Sequence, residues 1–121
     1  MPRREKDKPC IRPRLRIVSG KNIAFGPGKA DLLGALETTG SITRAASQVG
    51  MSYMRAWTLI RTMNRCFCEP LVDAMRGGMR GGGGAHLTPT GRQVLQLYRQ
   101  MDDDCLDAIQ SEWRKLQKLL V

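Results

Sequence analysis

A single histidine, His86, is the whole imidazole supply of this chain. That scarcity leaves no Ser/His/Asp set to assemble, and no catalytic residue is assigned. Cys10, Cys66, Cys68 and Cys105 show neither disulfide-framework spacing nor two CxxC-like pairs. No structural zinc site is therefore expected, and a reducing cytoplasm is the simplest home. No Gly-Lys-Ser/Thr triplet follows the glycine-rich stretch, which excludes a P-loop. No apolar run approaches the roughly 20 residues that span a bilayer. The amino-terminal MPRREKDKPC has no apolar h-region, so a secretory leader is not expected.

Acidic residues are scarce in particular places. The 121 residues carry 20 Lys and Arg against 11 Asp and Glu, a formal net charge of +9, which implies a polyanionic partner. The length allows one domain with a modest core. Residues 41–65 contain Arg44, Arg55, Arg61 and Arg65 and no acid at all, as phosphate contact demands.

That acid-free stretch, SITRAASQVGMSYMRAWTLIRTMN, predicts two helices around a tight turn. Ser41 and Ser52 are the N-caps, each hydroxyl accepting a first-turn N–H. Gly50 supplies the left-handed turn position. Ala45, Ala46 and Val49 face inward on the first helix; Ala56, Ile60 and Met63, with Leu59 beside them, do so on the second. The small Ala45–Ala46 pair permits the close crossing of a helix-turn-helix. An ordinary helical hairpin fits the same apolar residues; the charge favours the DNA reading.

Around this pair the chain reads in order. Residues 1–14 hold Pro2, Pro9 and Pro13, which block a helix. Positions 1–16 carry seven basic residues against two acids, a net of five positive charges. A solvated tail and an arm along a DNA groove both fit. Leu15, Ile17, Ile23 and Phe25 alternate about Ser19-Gly20-Lys21, predicting a small β-hairpin. Gly26-Pro27-Gly28 is read as a break, with a scaffold helix from Lys29 to near Gly40 carried by Ala30, Leu32, Leu33 and Leu36. Cys66 and Cys68 flank Phe67, which is read as packing with the cysteines as semi-buried neighbours, and Pro70 ends the helix. Leu71–Met75 and Ala85–Leu87 read as strands about a glycine-dense loop carrying Arg76 and Arg80. A wing along a phosphate backbone fits that composition better than a linker.

Thr88 and Pro89 start a helix expected to run to the end of the chain. Val94, Tyr98, Met101, Cys105 and Ala108 form one stripe; Leu106, Ile109, Trp113, Leu116 and Leu120 form another. One stripe docks on the domain and the other pairs with a second copy, or the helix folds back on its own domain. Tyr98, Met101, Cys105, Leu106, Ile109, Trp113, Leu116 and Leu120 are the dimerisation residues so expected. Asp102-Asp103-Asp104 points in three directions on a helix and reads as a solvated face, not a metal site.

The run GPGKADLLGALETTGSITRAASQVGMSYMRAWTLIRTMNRCF, then EPLV, RGGMRGGGGAHLT and TG, closely resembles the DNA-binding domain of the ModE family of molybdate-responsive regulators. Its winged helix-turn-helix is also similar to that of LysR-type regulators. The resemblance spans about residues 15–118 and is most specific at Gly50–Tyr53, Ala56-Trp57, Met63-Asn64 and the glycine wing closing on Leu87-Thr88. It implies a homodimeric transcriptional regulator on a roughly palindromic operator. Full-length relatives continue into a molybdate-binding region, whereas this chain stops at Val121. No cofactor is therefore expected, and the signal would come from an unknown effector or partner protein.

The expectation is a mainly α (α+β) winged helix-turn-helix with a small β-hairpin, a glycine-rich wing and a long C-terminal dimerisation helix. Its parts are an arm over 1–14, the DNA-binding domain over 15–88 and the helix over 89–121. Tyr53, Met54, Arg55 and Thr58 would face base edges, with Arg55 reading guanine. Ser41, Thr43, Arg44, Ser52, Arg61 and Arg65 would touch or flank phosphates, as would Arg76 and Arg80 in the wing. Trp57 is read as core rather than as a stacking residue. Two further readings remain open: a protein-interaction module on the same scaffold, and a non-specific DNA-binding protein.

Overall fold

The alternation about Gly20 closes a two-residue hairpin, with β1 (Ile17–Ser19) antiparallel to β2 (Asn22–Phe25) and Ser19 opposite Asn22. Gly20 has φ +60, and glycine at the first loop position is what such a tight turn selects. The computed structural model describes residues 8–74 and 84–121. The expected wing residues Arg76 and Arg80, and arm residues Arg3, Arg4 and Lys6, lie outside them.

α1 (Pro27–Thr39) begins two residues before the expected start. Pro27 occupies the first helical position, where its missing N–H costs nothing and its φ is already helical; it opens the helix and does not break the chain. Gly40, at φ 65, closes α1 with its N–H donated to the Leu36 carbonyl. α2 (Ile42–Gln48) and α3 (Tyr53–Cys66) follow, capped by the Ser41 and Ser52 hydroxyls, which accept from the Arg44 and Arg55 amides. Gly50, at φ 72, makes the turn between them.

β3 (Val72–Ala74) pairs antiparallel with β4 (Ala85–Leu87). Gly84 bridges to Ser41, and the Ala85 amide donates to the Gly40 carbonyl, which ties the second hairpin to the junction of α1 and α2. Thr88 caps α4 (Pro89–Ala108) by accepting from the Gly91 amide. At Gly91 a Cβ would lie 2.0 Å from the Leu71 carbonyl oxygen, so only glycine lets α4 start against that strand entry.

One core joins these parts. Phe25, Leu32, Leu33, Leu36, Ile60, Met63, Leu71 and Leu95 are fully enclosed, each contributing about 1.5–3 kcal/mol on burial. Ala45, Ala46 and Ala56 are buried where α2 and α3 approach. Phe67 meets Phe25 edge-on at 6.3 Å, as its packing role required. Cys66 is half-buried beside it, but Cys68 is exposed.

The last helix is not one rod. It divides at Ile109 (φ −103, ψ 5), and α5 (Gln110–Gln117) continues beyond. Ile109 is β-branched and pays for helix formation in χ1 freedom, and the Gln110 side-chain amide donates to the Leu106 carbonyl at 2.9 Å across the break. Tyr98, expected at a dimer seam, is 2% exposed and lies in the core. Its ring sits 5.0 Å from Phe25 and its hydroxyl donates to the Leu15 carbonyl at 2.7 Å. α5 has no buried residue.

Candidate nucleic-acid interface

α3 is amphipathic, and its core stripe of Ala56, Ile60 and Met63 fixes the direction of every other side chain at about 100° per residue. Directly opposite that stripe stand Met54, Thr58, Arg61 and Arg65, all exposed. Met54 is 71% exposed. The Thr58 hydroxyl donates to the Met54 carbonyl at 2.9 Å, so toward a ligand Thr58 offers its methyl group and lone pairs only.

The flanks of α3 differ. On one side Trp57 meets Tyr53 edge-on at 6.2 Å and packs on the core, with Arg61 and Asn64 beside it in a cavity that reaches β3. On the other side Arg55 turns toward the start of α1. There it lines a cavity of about 370 Å³ together with Lys29, Arg14 and Arg16. Arg55, expected at base edges, is exposed and borders this cation-lined cavity.

α2 adds Thr43 and Arg44, both exposed. Ser41 is half-buried and Ser52 exposed, and both hydroxyl oxygens are engaged as caps, leaving each O–H proton as a donor. The helix pair thus exposes Arg44, Tyr53, Met54, Thr58, Arg61 and Arg65, with no acid on either helix.

Three features escaped the sequence reading. Residues 11–16 alternate half-buried and exposed, so Arg12, Arg14 and Arg16 share one face of an extended segment laid on the domain. Asn64 is a clamp: its carbonyl oxygen accepts from the Leu71 amide at 2.8 Å and the Val72 amide at 3.2 Å, and its amide donates to the Val72 carbonyl at 3.1 Å. Lys29, which sits in an apolar helix, is 8% exposed and donates to the Ile23 carbonyl. Burial lowers its pKa from the usual 10.5; the Cys66 side chain opposes this and Arg55 reinforces it. The neighbouring Gly26-Pro27 helix start was the available signal for the last.

No group of three or more His, Cys, Asp or Glu is arranged to hold a metal among the described residues. Asp73 and His86 approach to 3.5 Å across β3 and β4, both well exposed, and form no enclosed site.

The chain is 40% identical over 96 residues to a molybdenum transport protein ModE of Azotobacter vinelandii, 79% of this chain. It is 46% identical over 72 residues to a transcriptional regulator ModE of Yersinia pestis and 42% identical over 72 residues to a DNA-binding transcriptional dual regulator ModE of Escherichia coli K12, in each case 60% of this chain. The chain is a homologue of the ModE regulators. It spans 35% of the length of the Azotobacter ModE and 27% of the other two. No protein-family model matches it. Two of the three ModE names describe transcriptional regulation and none describes a catalysed reaction. No described helix is long and apolar enough to cross a membrane.

Proposed function

We propose that this chain is a sequence-specific double-stranded-DNA-binding transcriptional regulator of the winged helix-turn-helix type. It acts in the cytoplasm as a homodimer on a roughly palindromic operator and has no catalytic role. The observation that carries the reading is the acid-free outer surface of α2 and α3, held by two serine caps and the left-handed Gly50. In this reading α3 enters the major groove. Tyr53 and Met54 meet base edges, Thr58 offers its methyl group to a thymine, and Arg61 and Arg65 pair with the groove or its rim. Arg55, beside Lys29, contacts a phosphate. Arg44, Thr43 and the caps Ser41 and Ser52 flank the backbone, and Arg76 and Arg80 are proposed as further backbone contacts. The names of the ModE relatives support a link to molybdenum metabolism.

The test is fluorescence anisotropy on the chain's own upstream duplex and on a scrambled one, over a salt series. The expected slope of log affinity on log salt is about −0.9 per neutralised phosphate. Arg65→Gln should weaken both duplexes and reduce that slope by about one unit, whereas Met54→Ala should weaken the specific duplex alone. Affinity indifferent to salt would replace this reading with the protein-interaction module. Equal binding to both duplexes would leave a non-specific DNA protein.

A further inference from the structure

Four cations converge where the hairpin, α1 and α3 meet. Arg14 and Arg16 are two apart on an extended segment, so they project from the same side. Lys29 lies in the first turn of α1, and Arg55 comes from α3. Together they line one cavity of about 370 Å³, and none of its lining residues is acidic. No hydrogen bond or ion pair engages the side chains of Arg14, Arg16 or Arg55 among the described residues. Lys29 is 8% exposed and uses one donor on the Ile23 carbonyl, although an ammonium carries three.

The floor of this cavity is the start of a 13-residue helix. Gly26, its N-cap, makes no side-chain capping bond, so nothing from the cap residue covers the first-turn amides of Gly28 and Lys29, which have no intrahelical partner by position. A Cβ built on Gly28 would meet nothing within 4 Å, so the backbone there is open to close approach. Four like charges around the positive end of a helix repel one another, and a bound anion relieves all of them together.

We propose that this cavity seats a tetrahedral, phosphate-like oxyanion. Arg14, Arg16 and Arg55 form its rim, Lys29 reaches it from below, and the Gly28 and Lys29 amides point at it. Its source is a backbone phosphate of bound DNA or a soluble oxyanion; the first of these rests on the regulator reading above. Arg14 also borders a neighbouring cavity containing Asp31 and Asp102, so Arg16, which does not, is the cleaner residue to change.

The experiment follows the backbone amides of Gly28 and Lys29 by NMR in ¹⁵N-labelled full chain. Inorganic phosphate is titrated at constant ionic strength with chloride, and then the operator duplex is added. Saturable shifts at both amides are expected, with phosphate affinity falling about tenfold in Arg16→Gln. Lys29→Gln, checked for an unchanged spectrum elsewhere, should act the same way. Displacement of phosphate by the duplex identifies the seat with DNA, and retention of phosphate on the DNA-bound protein identifies a soluble ligand. Duplex-induced shifts at these amides that vanish in Arg16→Gln support the DNA source even if free phosphate binds weakly. Phosphate affinity unchanged in both variants overturns the proposal, as do amides still under both titrants. If those amides stay still while α3 amides respond to duplex, the seat fails and the regulator reading stands. Saturable phosphate binding with no response to any duplex has the opposite meaning.

Discussion

Tyr98 joins the far end of the chain to its beginning, with its hydroxyl on the Leu15 carbonyl and its ring against Phe25. Its pKa is raised above 10.0, first by burial and then by Asp102 and Asp31. The folded protein therefore holds this proton more tightly than the unfolded chain. The stability it contributes is fully present below about pH 10 and is lost as pH rises through the folded value. Lys29 runs the other way: its lowered pKa makes the unfolded chain bind more protons, so its contribution to stability rises with pH toward 10.5. Tyr98→Phe should cost about 1 kcal/mol at neutral pH through the lost hydrogen bond. It should also remove the part of the alkaline decline that begins near pH 10. Urea unfolding across pH 8–11 measures both. An unchanged alkaline limb in Tyr98→Phe would assign that decline to another group.

At the scale of elements, α3 also anchors the second hairpin, because Asn64 at its end holds the entry to β3 with three hydrogen bonds. The Gly40 carbonyl, bonded to Ala85, holds the return strand. The hairpin base is thus fixed to α3 on one side and to the junction of α1 and α2 on the other. Asn64→Ala leaves two amides and a carbonyl half-buried without their partner, and each such group costs about 1–3 kcal/mol. The expected loss of stability is roughly 2 kcal/mol or more in a denaturant titration. Duplex affinity should fall as well, since the hairpin loses its fixed angle to α3. A loss below half a kcal/mol would show that water replaces the amide and that the clamp is weak. The helix caps needed no such contacts to be recognised: Ser41, Ser52 and Thr88 each bond within three residues of themselves, so the hydroxyl and its helix are legible together in the sequence.

For the molecule as a whole, charge and apolar surface are separated along the chain. The front carries the positive excess, and the described residues past Tyr98 expose Met101, Leu116, Leu119 and Leu120. Half-buried Cys105 and Leu106 lie on α4 and Trp113 on α5, with half-buried Ile109 at the break between them. α5 has no buried residue, so these apolar side chains gain little from their own domain, and a second copy would cover them. The double variant Leu116→Glu with Leu120→Glu should therefore sediment as a monomer where the unaltered chain sediments as a dimer. Its circular dichroism should keep the helical signal of α1 to α4, because both leucines are exposed. Equal sedimentation of the two proteins would remove α5 from any dimer contact. The break at Ile109 gives α5 a direction of its own, which the unbroken period of the sequence did not suggest.

The sequence by itself determined what local chemistry can determine. The caps, Gly50, the Gly20 hairpin, the apolar stripe of α3 and the absence of acid from the helix pair all follow from residues a few positions apart. Tertiary structure alone decided the rest. Tyr98 and Leu15 are 83 positions apart, Gly91 and Leu71 are 20, and Arg55 meets Lys29 only because α3 crosses the start of α1. No periodicity encodes such distances; they arise when one core fills and side chains carried on separate elements come to share the space that is left.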